Sequence, residues 1–419
     1  MHRKSCFIVL GVLLALVFIV PVLAQDASSW FVYLYNTQTK DLVRVNADGS
    51  QATYNLGVGS DVYMSSYDMA FTSDGTLTAF CTSVNSGDRP ESMSRLIVRN
   101  VIAQSDVLNL DMGANYGCRV GRFGFNAEGT QVAVGIVRAF PFDPSMPEPS
   151  GVIPGPAWEL LVYDLTGSQV QTINAASPTA ATLGADMGGV FMPIVQYFAN
   201  NQIIFGEMFW GGEGSFEMST HLWNLSDSSV APIEHWGQPG VDSLSTGELI
   251  WINDDANLPA AVPMGPFGMF NVLMLADKSG QARMIYHSPD WTLADARFIN
   301  DGQQIAILLL PGFDESLQPE EFPPSKWVVL DRAGAISDLY SSIYYTQLEA
   351  APGGYVVLDA TYQTADNSTS LFTLQYNNGS AITQIWTFGT QDPSVYWELA
   401  WSAPTATVEG LPPFPTFAV

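Results

Sequence analysis

Four charged side chains recur at one position of a repeated pattern. Asp68, Arg122, Asp295 and Glu398 each stand three residues before an apolar residue that leads into a turn: Phe71, Phe125, Phe298 and Trp401. The equivalent position before Phe198, Leu244 and Ala350 holds Val195, Val241 and Gln347. Four charges in seven places is dense for a chain in which only 13% of residues are charged. Three carboxylates and a guanidinium brought to one place can anchor a polar ligand. They can also supply an acid, a base and a counter-charge for glycan cleavage. Their convergence is the first expectation.

Other catalytic arrangements are missing from the sequence. It contains no His-Glu-x-x-His, Gly-x-Ser-x-Gly, Cys-x-x-Cys or phosphate loop ending in Gly-Lys-Ser/Thr. His221, His235 and His287 fall in different units, so no metal ligand set is assigned. Asp254-Asp255 offers hard oxygen ligands of the kind Ca²⁺ takes, without EF-hand spacing, and no resident cofactor is expected. Cys81 and Cys118 are the candidates for one disulfide between neighbouring repeats; two separately buried thiols are the alternative.

Aromatic residues on long polar connections form a second candidate surface. Segments 140–158, 210–216, 253–267 and 311–324 are rich in proline, glycine and acidic residues, and carry Trp158, Trp210, Phe267 and Phe313. Aromatics on ordered loops above a rigid scaffold are common binding elements. Folding back onto their own repeats is the alternative.

The elements that must position these residues are hairpins. In 68–80, apolar runs flank Ser73-Asp74-Gly75, and Asp-Gly between alternating runs is a strong hairpin signal because Gly accepts positive φ. Related units occupy 123–137, 197–209, 244–252, 296–310, 348–360 and 399–408. A second type, strand–Asp/Asn turn–strand, occupies 30–45, 95–110, 159–173, 221–233, 270–287, 326–340 and 371–386. No window has convincing helical periodicity, so the chain reads as all-β. Paired hairpins make four-stranded units of roughly 54 residues, the period of a β-propeller. Seven blades are expected, with six or eight as alternatives. The N-terminal outer hairpin and C-terminal inner hairpin would complete one blade and close the ring.

The segment Phe71-Thr72-Ser73-Asp74-Gly75-Thr76-Leu77-Thr78-Ala79-Phe80 resembles the repeat of TolB-like (WD40-like, PD40) propellers, and Ala400-Trp401-Ser402 is similar to its start. The proline usual before Asp-Gly is replaced by Ser73, and the paired Gly-His and Trp-Asp signatures of true WD40 repeats are absent. The resemblance implies a fold and a periplasmic or secreted habit, not an activity.

Outside the propeller (25–404), residues 1–24 read as a signal peptide. Arg3 and Lys4 precede the apolar run Phe7 to Val20, and Val22-Leu23-Ala24 ends at Gln25; a retained anchor is the alternative. Residues 405–419 read as a proline-rich, flexible tail. With 41 Asp and Glu against 15 Lys and Arg, the net charge of −26 argues against nucleic acid and anionic lipid. The sequence therefore suggests a monomeric, secreted or periplasmic scaffold that binds a protein, peptide or glycan on the insertion-bearing face. No membrane insertion is expected after signal cleavage. A glycan-active hydrolase or lyase using the channel-mouth carboxylates is the alternative.

Overall fold

The computed structural model describes residues 30–59, 64–83, 93–112, 117–137, 158–174, 189–211, 214–233, 237–244, 246–253, 270–277, 281–311, 324–342, 346–362, 370–379, 381–390, 392, 395–403 and 410–417. Within them the chain forms seven four-stranded antiparallel sheets. No helix among them is long and apolar enough to cross a membrane.

Blade 1 contains β1 (Phe31–Asn36), β2 (Asp41–Asn46) and β3 (Gln51–Asn55). Blade 2 is β4 (Met69–Phe71), β5 (Leu77–Ser83), β6 (Met93–Asn100) and β7 (Ser105–Asp111). Blade 3 is β8 (Gly117–Arg119), β9 (Gln131–Val137), β10 (Trp158–Asp164) and β11 (Gln169–Asn174). Blade 4 is β12 (Gly189–Ala199), β13 (Gln202–Gly211), β14 (Gly214–Asn224) and β15 (Ser229–Ile233). Blade 5 is β16 (Gly237–Ser243), β17 (Leu249–Asn253), β18 (Val272–Ala276) and β19 (Ala282–His287). Blade 6 is β20 (Trp291–Ile299), β21 (Gln304–Pro311), β22 (Ser325–Asp331) and β23 (Ile336–Ser342). Blade 7 is β24 (Thr346–Ala351), β25 (Gly354–Tyr362), β26 (Ser370–Asn377) and β27 (Ile382–Thr390). The last strand, β28 (Trp397–Ser402), returns to blade 1 and pairs with β1.

Closure differs in detail from the expected two-plus-two arrangement. The N-terminal segment supplies three strands of blade 1 and the C-terminal segment one, in the order β28-β1-β2-β3. Pairing Leu34 with Leu399 and Asn36 with Trp397 gives both edges of the joint a partner.

Burial explains why the inner strands read as apolar runs rather than as alternations. Each blade packs both faces against neighbours, so alternate residues enter different cores. Along β1, Val32 and Leu34 pack toward blade 7, while Phe31, Tyr33 and Tyr35 pack toward blade 2. Seven such clusters, one per blade interface, make up the core among the described residues. Indole N–H groups are tethered across these interfaces. Trp327 donates to Thr346 Oγ1 at 3.0 Å, and Trp386 to Gln51 Oε1 at 3.1 Å. The Asp74-Gly75 turn locks another joint: Gly75 has φ +67°, and a Cβ there would lie 2.8 Å from the Trp401 ring of blade 1.

The expected disulfide is present. Cys81 of β5 and Cys118 of β8 join blades 2 and 3 with a Cα–Cα separation of 5.7 Å.

Two expectations are corrected. Residues 210–211 and 214–216 are strand and not insertion loop: β13 and β14 pair as far as Gly211 opposite Gly214. Of the proline-rich tail, residues 410–417 are described, and they are docked rather than flexible, with Phe414 1% exposed. Proline content removes backbone donors without preventing aromatic anchors from finding a cleft. The signal segment 1–24 lies outside the described residues.

Candidate functional site: the channel mouth

The inner strands β28, β4, β8, β12, β16, β20 and β24 are the first of each sheet and surround the central channel. Side chains from the neighbouring blade accept backbone N–H groups on or beside these strands. Glu398 of blade 1 accepts from Ser66 N, in the turn that leads into blade 2, at 2.5 Å. Asp242 of blade 5 accepts from Phe298 N of blade 6 at 2.8 Å. Gln347 of blade 7 accepts from Leu399 N of blade 1 at 2.5 Å. Buried backbone donors need such partners, and these stitches set the spacing of the inner ring.

On this ring sits a charge network centred on Arg297, whose side chain is only 3% exposed. Its Nε donates to Glu349 Oε1 at 3.2 Å, and another guanidinium nitrogen donates to Asp295 and to the Ala296 carbonyl. The second oxygen of Glu349 receives Arg122. Arg122 belongs to blade 3 and Glu349 to blade 7, which are not neighbours, so this ion pair crosses the channel.

Burial drives the electrostatics of these carboxyls. It pushes Asp242 and Asp295 up, Asp295 to about 6, although Arg297 and Arg122 oppose the shift. Burial acts on Glu349 in the same sense, but its two arginine partners outweigh it and hold the group below its usual range. The same three carboxylates overcome burial at Arg297 and raise its pKa.

A second group lines blades 1 to 3. A short 3₁₀ turn, Ser66–Asp68, precedes β4, and the Asp68 carboxylate caps it by accepting from Ser65 N at 2.9 Å and Ser65 Oγ at 3.0 Å. The other Asp68 oxygen pairs with Arg119 Nε at 2.7 Å. Burial, and then the charge of Asp68, raise the pKa of Glu398. Tyr35 is fully buried and feels both carboxylates; its hydroxyl has no hydrogen-bond partner among the described residues. Tyr67, in the 3₁₀ turn, is 40% exposed and lies within the electrostatic reach of Arg297, which connects the two groups.

The structure thus places all four predicted charges on the inner ring. Arg122 and Asp295 join one network, while Asp68 and Glu398 form the other group. The repeat pattern of the sequence does not mark Arg297, Glu349, Asp242 or Arg119. β-Bulges explain part of this, because register shifts between Gln238 and Asp242 and between Val195 and Tyr197 displace the polar residue from the aligned column. Val195 is accordingly a core residue, and Gln196 and Asp242 are the polar residues beside the aligned positions. A search one residue on either side of the column would have found Asp242.

The aromatic candidates fare differently. Trp158 opens β10 and is buried, donating to Glu207 Oε1 at 2.7 Å and packing edge-on against Phe205 between blades 3 and 4. It is a packing residue and not a loop tip. Trp210 is a β13 strand residue opposite Val190 and Ser215. Phe267, Phe313 and the Asp254-Asp255 pair lie outside the described residues.

The buried carboxyls predict a pH dependence. Between its ordinary value of 3.8 and about 6, Asp295 is protonated in the folded state but ionised in the unfolded chain. Stability contributed there falls as pH rises through that window. Asp242 and Glu398 act in the same direction, whereas the depressed Glu349 loses its contribution only in stronger acid. The thermal midpoint should therefore be higher at pH 5 than at pH 7, and Asp295→Asn should shrink that difference. An unchanged difference in the variant would dissociate Asp295 from the effect.

No protein-family model matches the sequence, and no curated protein matches it. Among solved structures, a prolyl endopeptidase superposes with TM-score 0.50 at 10% identity, over 86% of this chain and 50% of that one. The propeller domain of the Trilobed protease from Pyrococcus furiosus matches at 13% identity and TM-score 0.46, over 85% of this chain and 91% of its own. TolB from Acinetobacter baumannii matches at 13% identity and TM-score 0.35, over 84% and 61%. The chain spans half the length of the prolyl endopeptidase, and these likenesses concern the fold alone. The ring of seven sheets defines the class: this is a seven-bladed β-propeller.

Proposed function

We propose that this chain is an extracytoplasmic binding or scaffold propeller that acts as a monomer. It recognises a protein, peptide or glycan on the face where the inner strands begin. One observation carries the reading: charged side chains of non-neighbouring blades meet across the channel, with Tyr67 exposed beside them. Fixed charges on stitched strands cost little to reorganise when a polar ligand arrives. The apolar leader and the Cys81–Cys118 bridge support an oxidising, extracytoplasmic setting.

A thermal-shift screen of the chain from Gln25 onward, covering glycans, peptides and fractionated secreted proteins, tests this. The comparison variant is Asp68→Asn/Glu398→Gln, which leaves the Arg297 network untouched. A stabilising ligand whose effect disappears in the variant is expected. A stabilising ligand that acts equally on both proteins would remove the Asp68–Glu398 group from the account, and its loss in Arg122→Ala would then assign it to the network across the channel.

The alternative, a glycan-active hydrolase or lyase, is favoured by one specific feature. Asp295 is held to about 6, in the range of a general acid. Release of new reducing ends or unsaturated products, abolished by Asp295→Asn, would favour the enzyme. Binding without turnover favours the module.

A further inference from the structure

We propose that the cleft between blades 5 and 6 is a recognition site for extended proline–aromatic peptides, and that residues 411–417 of this chain are its intramolecular occupant. The segment Leu411-Pro412-Pro413-Phe414-Pro415-Thr416-Phe417 forms no strand, since three prolines fix φ and remove donors. It is nevertheless held by two phenylalanine anchors. Phe414 is 1% exposed and enters the core cluster shared by blades 5 and 6, near Leu244, Tyr286, Phe298 and Leu330. Phe417, three residues on, has crossed the outer edge of blade 5: it lies edge-on to His287 at 5.9 Å and packs against the cluster between blades 4 and 5.

The receiving groups are positioned by the blades themselves. Arg332 is fixed by both oxygens of Glu248, at 2.7 and 3.2 Å, and by the Gly302 carbonyl at 2.8 Å. So held, its guanidinium stacks over Phe414 at 4.3 Å and donates to the Pro412 carbonyl at 2.7 Å. Arg283 donates to the Phe414 carbonyl at 3.1 Å. Phe417 N donates to Met284 O at 2.9 Å, a single main-chain bond to β19, the outer edge of blade 5.

These contacts combine two recognised modes of peptide capture. An aromatic anchor on a proline-stiffened backbone fills a pocket, and one main-chain bond ties the segment to a sheet edge. Leu411 and Pro412 also border a depression of ≈ 590 Å³ whose other walls include Asn300, Asp301 and Asp331 of blade 6 and Asn378 of blade 7. Tethering in cis gives the segment an effective concentration of order millimolar, so an incoming peptide competes only when the strap is released or outmatched. The cleft lies on the turn-bearing face of blades 5 and 6, and the inference does not depend on the channel-mouth reading.

The test uses the full chain with a protease site placed within 404–409, folded intact and then cleaved. Fluorescein-labelled Leu-Pro-Pro-Phe-Pro-Thr-Phe is titrated before and after cleavage and read by anisotropy. The expected result is at least tenfold tighter binding after cleavage, lost again in Arg332→Ala and with a peptide whose two phenylalanines are alanine. Circular dichroism on the cleaved protein separates recognition from unfolding. If cleavage unfolds the blades, or the cleaved, folded protein binds the peptide no better than the intact one, the strap is core and the proposal fails.

Discussion

Replacing Glu349 by alanine is expected to cost the fold about 3–5 kcal/mol, the usual penalty for stranding a buried charge. Glu349 is the shared partner of Arg122 and Arg297, and the side chain of Arg297 is only 3% exposed. Without Glu349, Asp295 remains as the one carboxylate in direct contact with Arg297 among the described residues, and the bond across the channel between blades 3 and 7 is lost. Glu349→Gln keeps the volume and one acceptor and should lose less. Equilibrium denaturation at pH 7 distinguishes the cases; a loss below about 1 kcal/mol for Glu349→Ala would mean that the arginines find water or other partners at little cost.

Removing the Cys81–Cys118 bridge, by Cys81→Ser/Cys118→Ser, is expected to cost about 2–4 kcal/mol. The two cysteines are 37 residues apart in sequence, so the unfolded chain regains a sizeable loop. The local consequence follows from β8, whose three residues, Gly117–Arg119, include both Cys118 and the partner of Asp68. Loss of the bridge should raise amide exchange in this strand and in the Ser66–Asp68 turn before the outer strands respond. Uniform exchange across blade 2 would show that the bridge does not act on the mouth in particular.

The propeller is legible because its hairpins announce themselves. Asp74-Gly75, Gly129 and Gly302 each supply a positive-φ turn between apolar runs, and the outer hairpins repeat an Asp-centred turn such as Asp164-Leu165-Thr166. The three-plus-one closure is not legible, because β3 (Gln51–Asn55) is a polar, half-exposed edge with no apolar stripe to mark it. The tail illustrates the converse. Its prolines suggest mobility, while the feature that decides its position is the match between Phe414 and a cleft built from distant residues.

For the site, residue type was informative but register was not. Asp68, Arg122, Asp295 and Glu398 stand where inner strands meet the channel. Arg297 and Glu349 are the most deeply connected members, yet each immediately precedes the aligned apolar residue, a position that elsewhere holds small or apolar residues such as Ala70 and Ala400. Only closure of the ring brings Arg122 to Glu349, across 227 residues of chain. Trp158 misleads for a related reason, since it begins a strand at the end of a long connection and faces the neighbouring blade.

Hydrogen exchange on the chain from Gln25 onward, with and without the most stabilising ligand from the thermal-shift screen, tests the channel-mouth account most directly. The account predicts protection at residues 65–71, 119–125 and 397–402, the segments that carry Asp68, Arg119, Arg122 and Glu398. Protection confined to outer strands such as β7 and β15, with those inner segments unchanged, would contradict it.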